Sequence, residues 1–324
     1  MFTYLCRRIL ISFVTLFIIT IIVFVLVRMM PGTPVTQLAL ADPSREISKE
    51  NMAMLNEIYG LNKDPVTSYF IWMGNLLQGN MGDSFKEHKN VAVAISERIG
   101  PTLLLSVTSL IITYTLAVPM GLFSVVRRGR TEERVLSITL YMLYSLPSFV
   151  VALLLLIVFY QRLGWFPPGI MSDDYSRMSV FGQILDVAKH MILPVFCYTY
   201  GSLASLSRFV KSNMEEVIRQ DYIRTARAKG VSPLNVITRH AFRNTLIPFV
   251  TMIGLTLPGL LGGSIILEQI FEWPGMGQFF YKSITDRDYP VIMGMILIYS
   301  VLTLLGQLIA DILYVFVDPR VTYE

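Results

Sequence analysis

Six long apolar runs, separated by shorter polar and basic stretches, form the dominant pattern of this sequence. Each is close to or above the roughly 20 mostly apolar residues that a transmembrane helix needs. The runs are Ile9–Val27, Leu103–Val126, Leu136–Tyr160, Met191–Val210, Leu246–Leu267 and Val291–Val317. The fourth is the least apolar because it is rich in serine and glycine, which suits a helix packed among other helices. The pattern predicts an all-α integral membrane protein with six transmembrane helices.

The composition indicates that lipid is the main solvent of the chain. Hydrophobic residues make up 53% and charged residues 15% of the sequence, and the mean hydropathy is +0.56. A globular domain carries about 25% charged residues. The first run follows Arg7 and Arg8, as in a secretory signal peptide, but the apolar region of such a peptide spans only about 7–15 residues. Here it continues to Met30 and closes on Pro31-Gly32-Thr33-Pro34, so we predict a retained first helix.

Lysine and arginine are concentrated on one side of the predicted membrane. That side carries Arg7 and Arg8, the Arg127–Arg130 loop and a strongly basic stretch over Arg208–Arg243. The opposite loops contain acids as well, namely Asp42, Glu46, Glu50, Asp173, Asp174, Asp286 and Asp288. Because an excess of Lys and Arg marks cytoplasmic loops, both termini are predicted to be cytoplasmic.

These assignments divide the chain into a first helix, an outer region, a helical core and a tail. Residues 1–30 form the first transmembrane helix, and residues 31–100 form an extracytoplasmic loop or cap. Residues 101–317 form a five-helix core that includes a cytoplasmic loop at 211–244, and residues 318–324 form a cytoplasmic tail. The mixed polar and apolar composition of residues 31–100 favours a small folded cap or interfacial helices over a disordered linker.

Residues that carry chemistry are scarce in the predicted spans. Arg28, Glu268 and Asp311 lie toward span ends, where they can reach the interface or a neighbouring helix. Cys6 and Cys197 fit no metal or disulfide spacing and are predicted to be small buried hydrophobes. The sequence has no GxxxxGK[ST] loop to hold ATP phosphates. We therefore predict no catalytic residue, metal or other cofactor for this chain, and active transport would need energy from a partner.

Two other function classes stay open on these observations. A stand-alone secondary carrier or channel would transport without an ATPase, although ion-coupled carriers commonly keep carboxylates or histidines inside the bilayer. An intramembrane enzyme would need a buried nucleophile beside a base or a metal set, and Ser205 and Ser207 have no histidine or lysine in such a pattern. The small net charge of +4 in a mostly apolar chain says more about orientation than about nucleic acid, and no nucleic-acid partner is predicted.

Proline and glycine weaken several predicted helices, most of all the fifth. Proline removes a backbone donor and kinks a helix, and glycine permits close approach of a neighbour. Pro147 interrupts the third run, and the fifth run carries Gly254, Pro258, Gly259, Gly262 and Gly263. Two interpretations of the fifth run stay open: ordinary tight packing, or a helix that lines a path and flexes as a gate.

The most informative segment is the basic loop Arg219–Pro248, which reads RQDYIRTARAKGVSPLNVITRHAFRNTLIP. Tyr222–Lys229 has no helix breaker and can form about two helical turns, and Gly230 suits the left-handed residue that follows a helix. Ser232 and Pro233 then supply an N-cap and a first-turn proline for a second short helix. The charge alone could fix topology or bind anionic lipid headgroups. A protruding, small-surfaced helix pair also suits docking in a groove of another protein.

The same segment resembles the cytoplasmic coupling loop of bacterial binding-protein-dependent ABC importer permeases. DYIRTARAKG followed by HAFRN and a proline is most similar to the dipeptide/oligopeptide/nickel branch. The broad family has Glu-Ala-Ala where this chain has Arg224-Thr225-Ala226, a departure that the peptide branch shares. Further motifs in the expected order extend the resemblance to the B-type subunit over nearly the whole chain. They are RRILISFVTLFIITIIVFVLVRMMPGTP, IYGLNKDPVTSYFIWMGNLLQGNMGDSF, ERIGPTLLLS, EQIFEWPGMGQFFYKSITDRDYPVIMG and Asp318-Pro319-Arg320.

The resemblance implies a type I ABC importer permease fold and a subunit that performs no covalent chemistry. A homologous C-type permease subunit would complete the pore as a heterodimer. Two cytoplasmic ABC ATPase subunits would bind ATP and magnesium and dock on the coupling loops, and an extracytoplasmic solute-binding protein would deliver a di- or oligopeptide. A nickel chelate, an opine or glutathione is the alternative solute. The implied coupling residues are Asp221, Tyr222, Ile223, Arg224, Thr225, Ala226, Arg227, Ala228, Lys229, Gly230, Val231, Ser232 and Pro233.

The segment Glu268–Tyr289 would lie near the outer mouth of such a permease. Trp273, Pro274 and Gly275 are the candidate mouth residues, although aromatic side chains there could equally be interfacial anchors. The Asp286-Arg287-Asp288 stretch is expected to be a solvated turn, with contact to the binding protein as the alternative.

Overall fold

A computed structural model shows a largely helical chain and describes residues 2–29, 63–232, 235–242, 252, 256, 259–260 and 262–317. The α-helices in these ranges are α1 (Phe2–Met29), α2 (Pro65–Leu77), α3 (Val91–Val126), α4 (Thr131–Ser145), α5 (Ser148–Leu155), α6 (Val180–Val217), α7 (Asp221–Ala228), α8 (Ile265–Ile270), α9 (Met276–Thr285) and α10 (Tyr289–Val317). Two π-helical stretches, Leu156–Arg162 and Val236–Ala241, follow α5 and α7, and a 3₁₀ turn covers Tyr175–Arg177.

Long apolar helices confirm most of the spans predicted from the hydrophobic pattern. Within the described residues, α1, α3, α6 and α10 each contain a stretch long and apolar enough to cross a membrane. Helix α4 and the Ser148–Arg162 helix together supply a fifth candidate if the bent pair is counted as one span. The remaining predicted run, Leu246–Leu267, lies mostly outside the described residues.

The third predicted span is broken at Pro147 rather than merely weakened by it. Helices α4 and α5 meet at an angle of 91°, and Leu146 between them has extended backbone (φ −84°, ψ 125°). Proline disfavours helical geometry in the preceding residue, which accounts for the break. The Leu146 carbonyl accepts a hydrogen bond of 2.7 Å from the Tyr200 hydroxyl of α6. The break is therefore tied to the neighbouring helix.

Helices α3 and α6 begin well before the apolar runs that predicted them. Asn90 caps α3 by accepting a 3.0 Å hydrogen bond from the Ala92 amide, and Ser179 caps α6 by accepting one of 3.2 Å from Gly182. Side chains of this kind satisfy the orphan amides of a first helical turn. The hydrophobic pattern marks only the apolar part of each helix, so the predicted boundary at residue 100 falls inside α3.

Helix α1 lies at the edge of the described structure. Its Thr20 hydroxyl is 2.8 Å from the Tyr69 hydroxyl of α2, and Arg8 forms a 3.1 Å ion pair with Asp311 of α10. Helix α1 therefore contacts both α2 and α10. Cys6 is exposed, so its prediction as a buried residue is wrong, because much of the α1 surface is left uncovered by other elements; Cys197 is buried.

The centre of the fold is the pairing of α3 with α6. Gly121 of α3 faces Val210 and the Ser207 carbonyl of α6 so closely that a Cβ at this position would lie 2.8 Å from the carbonyl oxygen. Small residues let helix backbones approach in this way. Apolar clusters lie at both ends of the pair, one with Leu105, Met191 and Trp273 and another with Val210 and Met214. The α3–α6 pair is the frame on which the candidate sites are built.

Candidate functional site

The loop that follows α6 folds as the helix and turn predicted from its sequence. Helix α7 covers Asp221–Ala228, and Gly230 has a φ of +75°. The Gly230 amide donates to the Arg227 carbonyl at 3.0 Å, and the Val231 amide donates to the Ala226 carbonyl at 3.2 Å. This pair of bonds is the Schellman motif, which ends a helix with a left-handed glycine. We call residues Asp221–Ser232 the helix–turn element.

Two apolar side chains anchor the helix–turn element to the frame. Ile223 is fully buried and Ala226 is nearly so, and both belong to the apolar cluster that contains Val210 and Met214 of α6. The other residues of α7 are exposed, including Tyr222, Arg224, Thr225, Arg227 and Ala228. One face of α7 is therefore held by the frame while a basic, small-residue face points away from it.

A second short helical stretch packs beside α7. It is π-helical over Val236–Ala241, and the Ser232 carbonyl accepts a 2.9 Å hydrogen bond from the Val236 amide. Val236 and Ala241 are buried in the same cluster as Ile223. The predicted helix pair is present, and Pro233, assigned to its first turn, lies outside the described residues.

A cavity of about 700 Å³ is lined by α3 and α6, by the α4–α5 junction and by described residues of the fifth predicted span. Gly259, predicted to line a path or gate, borders it. A Cβ added at Gly262 would meet no described atom within 4 Å, and Gly263 packs against the carboxyl group of Glu268. Gly254 and Pro258 lie outside the described residues. Of the predicted path residues, Gly259 thus lies at the cavity and Gly263 lies beside the buried Glu268 carboxylate.

Glu268 is the centre of a buried polar site that joins four helices. Its side chain is fully buried, and its Oε1 accepts a 3.0 Å hydrogen bond from the Thr102 hydroxyl of α3. Its Oε2 accepts one of 3.0 Å from the Gln278 amide of α9. The Tyr198 hydroxyl of α6 donates to Oε1 at 3.4 Å and accepts from the Ser264 amide at 2.7 Å. We call these five residues the Glu268 site.

The candidate mouth residues have different surroundings, and one of them packs against the Glu268 site. Trp273 is fully buried and its Nε1 donates to the Pro101 carbonyl at 2.9 Å, so its interpretation as an interfacial anchor is wrong. A Cβ on Gly275 would come within 2.7 Å of the Glu268 carboxyl carbon. Glycine is required at this position because of the close approach. Its backbone conformation would admit other residues, since its φ of −100° is not left-handed. Pro274 borders a separate polar cavity of about 600 Å³.

Asp288 corrects the prediction of a solvated turn before α10. It is buried, with 2% of its surface exposed, and its Oδ2 accepts hydrogen bonds from the Ser84 hydroxyl and, at 3.3 Å, from the Lys86 amide. Its own carbonyl accepts from Ile292 in the first turn of α10 at 3.0 Å. The carboxylate therefore joins the loop before α3 to the start of α10, a contact that no local sequence pattern reveals.

Burial and hydrogen bonds act in opposite directions on these carboxyl groups. Burial raises the pKa of Glu268 despite hydrogen bonds from Gln278 and Thr102, and burial raises the pKa of Asp288 despite those from Ser84 and Lys86. Burial also acts on Glu87, but hydrogen bonds and charges of Lys89 and Arg98 outweigh it and lower its pKa. Desolvation disfavours the ionised form of a carboxyl group unless such partners compensate.

Sequence reasoning placed Glu268 at a span end but did not identify its partners. Thr102 and Tyr198 look like ordinary polar residues in helical stretches, and only their distance from Glu268 reveals their role. Gly275 and Gly277 are the sequence features that could have indicated a closely packed site here, because both leave room for backbone or carboxylate atoms. Among the described residues, no group of three or more His, Cys, Asp and Glu side chains could hold a metal ion.

Comparison with solved structures shows that the fold is similar to that of a chain from a known ABC transporter. The chain resembles a chain of the MetNI methionine ABC transporter, in inward-facing conformations, with a TM-score of 0.52 and 17% sequence identity. The alignment covers 70% of this chain and 97% of that one.

Sequence comparison identifies relatives over the full length. The chain is 40% identical to the oligopeptide transport system permease protein AppB of Bacillus subtilis over 100% of both chains. It is 37% identical to a putative peptide permease protein of Brucella ovis, over 99% of each chain, and 34% identical to the glutathione transport system permease protein GsiC of Escherichia coli over 100% of each.

Two family models match consecutive parts of the sequence. Residues 1–106 match the N-terminal part of the membrane component of binding-protein-dependent transport systems. Residues 117–323 match the model described as the binding-protein-dependent transport system inner membrane component. These matches, together with the apolar helices, make the chain a multi-pass inner-membrane protein. It belongs to the family of binding-protein-dependent transport system inner membrane components.

Proposed function

We propose that this chain is the B-type permease subunit of an ATP-driven peptide importer, and that the helix–turn element is where an ATPase docks. The observation that carries the proposal is the two-sided construction of α7. Ile223 and Ala226 hold it to the α3–α6 frame, whereas its basic, small-residue face is exposed. A charged surface that served topology alone would need no such anchoring.

The frame offers a direct route from the docking face to the cavity. Helix α6 runs without interruption from Val180 to Val217, which is roughly 57 Å at 1.5 Å per residue. It borders the cavity through Tyr198, and its C-terminal part shares an apolar cluster with α7. Packed interfaces are bistable rather than continuously deformable, so displacement of α7 by a closing ATPase pair would move α6 as a body. The chain supplies two conformations whose balance its partners bias.

Partners follow from the same proposal. A homologous C-type permease subunit completes the pore, two ABC ATPase subunits bind ATP and magnesium, and an extracytoplasmic binding protein delivers the solute. All six predicted spans cross the membrane, and both termini are cytoplasmic. Peptides are the proposed solute because AppB of Bacillus subtilis is named an oligopeptide permease and is 40% identical over the whole chain. Glutathione is the second candidate, favoured by the full-length similarity to GsiC.

Co-purification with matched charge reversals tests the docking assignment. Arg224→Glu/Arg227→Glu reverses two exposed charges on α7, and Arg128→Glu/Arg130→Glu reverses two exposed charges between α3 and α4. We expect the α7 variant to insert and retain the second permease but to lose the ATPases by about tenfold or more, since like-charge contacts in an interface cost several kcal/mol. The control variant, Arg128→Glu/Arg130→Glu, should retain both the second permease and the ATPases.

The outcomes of this experiment separate the alternatives. Equal loss from both variants would mean that the basic residues act through topology, and the docking assignment would be wrong. If the unaltered chain purifies alone and catalyses uptake into liposomes without ATP, a carrier or channel replaces the importer.

A further inference from the structure

Hydroxyl side chains of α3 and α6 line the same cavity. On α3, Ser106, Ser109 and Thr113 follow one another at spacings of three and four residues, so they share one helix face. On α6, Tyr198, Ser202 and Ser205 do the same. Among the described residues that line this cavity, none is Asp, Glu, Lys, Arg or His. The described lining thus combines these hydroxyl groups with a mostly apolar surface and carries no fixed charge.

Ser109 shows that these hydroxyls are not all used by the fold. It is buried, with 5% of its surface exposed, and its Oγ has no hydrogen-bond partner among the residues that the structure describes. A buried hydroxyl without a partner is unfavourable because no hydrogen bond offsets its loss of contact with water. A group left in this state inside a cavity is available to a ligand or to water that a ligand displaces.

The α6 face of the cavity is unsuited to lipid. Ser202 and Ser205 are exposed in the single chain, whereas other exposed positions of the same helix carry Ile192 and Phe196. Polar residues within transmembrane segments generally face the protein interior or a water-filled cavity. The serine face therefore belongs to the inside of the assembled transporter, and the isoleucine and phenylalanine positions suit lipid or an apolar partner surface.

We propose that this cavity is a chamber that holds the peptide in transit by its uncharged backbone amides, with Ser106, Ser109 and Thr113 on α3 and Ser202 and Ser205 on α6 as the contacting residues. This inference rests on the proposed function and adds the groups that recognise the solute. A hydroxyl both donates and accepts, so it matches the N–H and C=O that every peptide unit presents. A volume of about 700 Å³ lies within the roughly 300–1,000 Å³ of ordinary ligand pockets.

The absence of fixed charge from the described lining has a functional consequence. A translocation site must bind well enough to be entered and weakly enough to be left. A buried carboxylate or ammonium group would hold peptides of one charge and repel those of the other. Neutral hydroxyls give similar contacts to peptides that differ only in side-chain charge. The chamber should therefore pass peptides that the binding protein delivers with little further selection by charge.

Uptake by the complete transporter tests the chamber assignment. The transporter, with both permeases, the ATPases and the binding protein, is reconstituted in liposomes and given Ala-Ala-Ala, Ala-Lys-Ala or Ala-Glu-Ala. We expect Ser109→Ala/Thr113→Val to slow uptake of all three by a similar factor, about 2–10-fold for each hydrogen bond lost. The control Ser124→Ala removes another buried serine of α3, one that lies outside the cavity and bonds to the Met120 carbonyl. It should leave uptake within twofold of the unaltered transporter.

A charged variant tests the charge argument independently. Ser109→Asp should depress uptake of Ala-Glu-Ala relative to Ala-Lys-Ala by about tenfold, and Ser202→Asp should act in the same direction without burying the new charge. Because each peptide is compared with itself in the unaltered transporter, selection by the binding protein cancels. Basal ATPase activity and size-exclusion elution confirm that each variant is assembled.

The proposal has distinct ways to fail. If the Ser109 and Ser202 variants all transport the three peptides at unaltered ratios and rates, the chamber is wrong while ATP-dependent uptake, and with it the proposed function, stands. If Ser202→Asp detaches the second permease instead of changing the peptide ratio, that face is a subunit contact and the α6 part of the proposal is wrong. If the unaltered transporter takes up none of the peptides, the peptide function itself fails.

Discussion

The helix–turn element and the Glu268 site lie toward opposite ends of the α3–α6 pair and are built in opposite ways. The hydrogen bonds that end α7 join residues at most five positions apart, as in the bond from Val231 to Ala226. The Thr102–Glu268 bond joins residues 166 positions apart. The helix–turn element exposes most of its side chains, whereas the Glu268 site buries a carboxylate and lies beside a buried tryptophan and two close-packed glycines.

This contrast indicates different mechanical roles. A locally folded helix held by two apolar anchors can keep its shape while a partner moves it, which suits a docking element. A site in which each polar group bonds to a different helix resists displacement of any one of them. In the proposed orientation, the Glu268 site fixes the segment at the outer mouth to α3 and α6, and the helix–turn element receives motion on the cytoplasmic side.

Removing Trp273, beside the Glu268 site, should have the largest effect on stability. Trp273→Ala should lower the free energy of unfolding by about 3–5 kcal/mol, because a fully buried aromatic side chain and its bond to Pro101 are lost. Trp165→Ala removes the same side chain from a position with 53% exposure and should cost about 1 kcal/mol or less. Thermal unfolding of the purified protein in detergent measures both. Equal losses would contradict the central place of Trp273.

Truncating Ile223, which anchors α7 to the frame, tests the helix–turn element. Ile223→Ala should lose about 2–4 kcal/mol, toward the lower part of the usual range because a short helix at the edge of the core can relax. Tyr222→Ala, on the exposed neighbour, should change stability little. The two variants are compared by thermal unfolding and by retention of the ATPases. The anchor model is wrong if Tyr222→Ala is the more destabilising of the two.

Two glycine-to-alanine substitutions should change the stability of the protein in opposite directions. Gly275→Ala forces a Cβ against the Glu268 carboxyl group and should destabilise the protein by about 1–3 kcal/mol through overpacking. Gly74→Ala, in α2, meets no atom within 4 Å and should stabilise by about 0.5–1 kcal/mol because alanine favours the helix. Melting temperatures of the two variants decide the matter, and a neutral Gly275→Ala would show that the Glu268 site is loosely packed.

The smallest effect is a pH dependence that belongs to Glu268. Its pKa is raised from an ordinary 4.5, chiefly by burial, so the folded protein holds this proton more tightly than the unfolded chain. The stability it contributes is therefore fully present below pH 4.5 and is lost as pH rises through the higher folded-state pKa. The melting temperature of the unaltered protein minus that of Glu268→Gln should fall over this window. A difference that does not change with pH would mean that the folded-state pKa is not raised.

The sequence determined the features that depend on neighbours along the chain. Apolar runs of sufficient length indicated membrane helices, and residues 221–232 contained the helix formers, glycine and serine that a short helix and its turn require. Several motifs in the expected order along the chain pointed to the importer permeases, which the family models confirm. Apart from those motifs, these inferences needed only periodicity, charge and local backbone preference.

The tertiary structure decided what distant residues do together. Hydropathy could not show that Pro147 breaks its span by 91°, because a proline in a helix can either kink or end it. It could not show that Asp288 is buried against Ser84 or that Glu268 meets Thr102 and Tyr198, since partners far apart in sequence leave no local pattern. The hydroxyl groups of α3 and α6 likewise line one cavity only when the helices pair, because serines at helical spacing have the same sequence pattern whether they pack against a neighbour, contact water or bind a ligand.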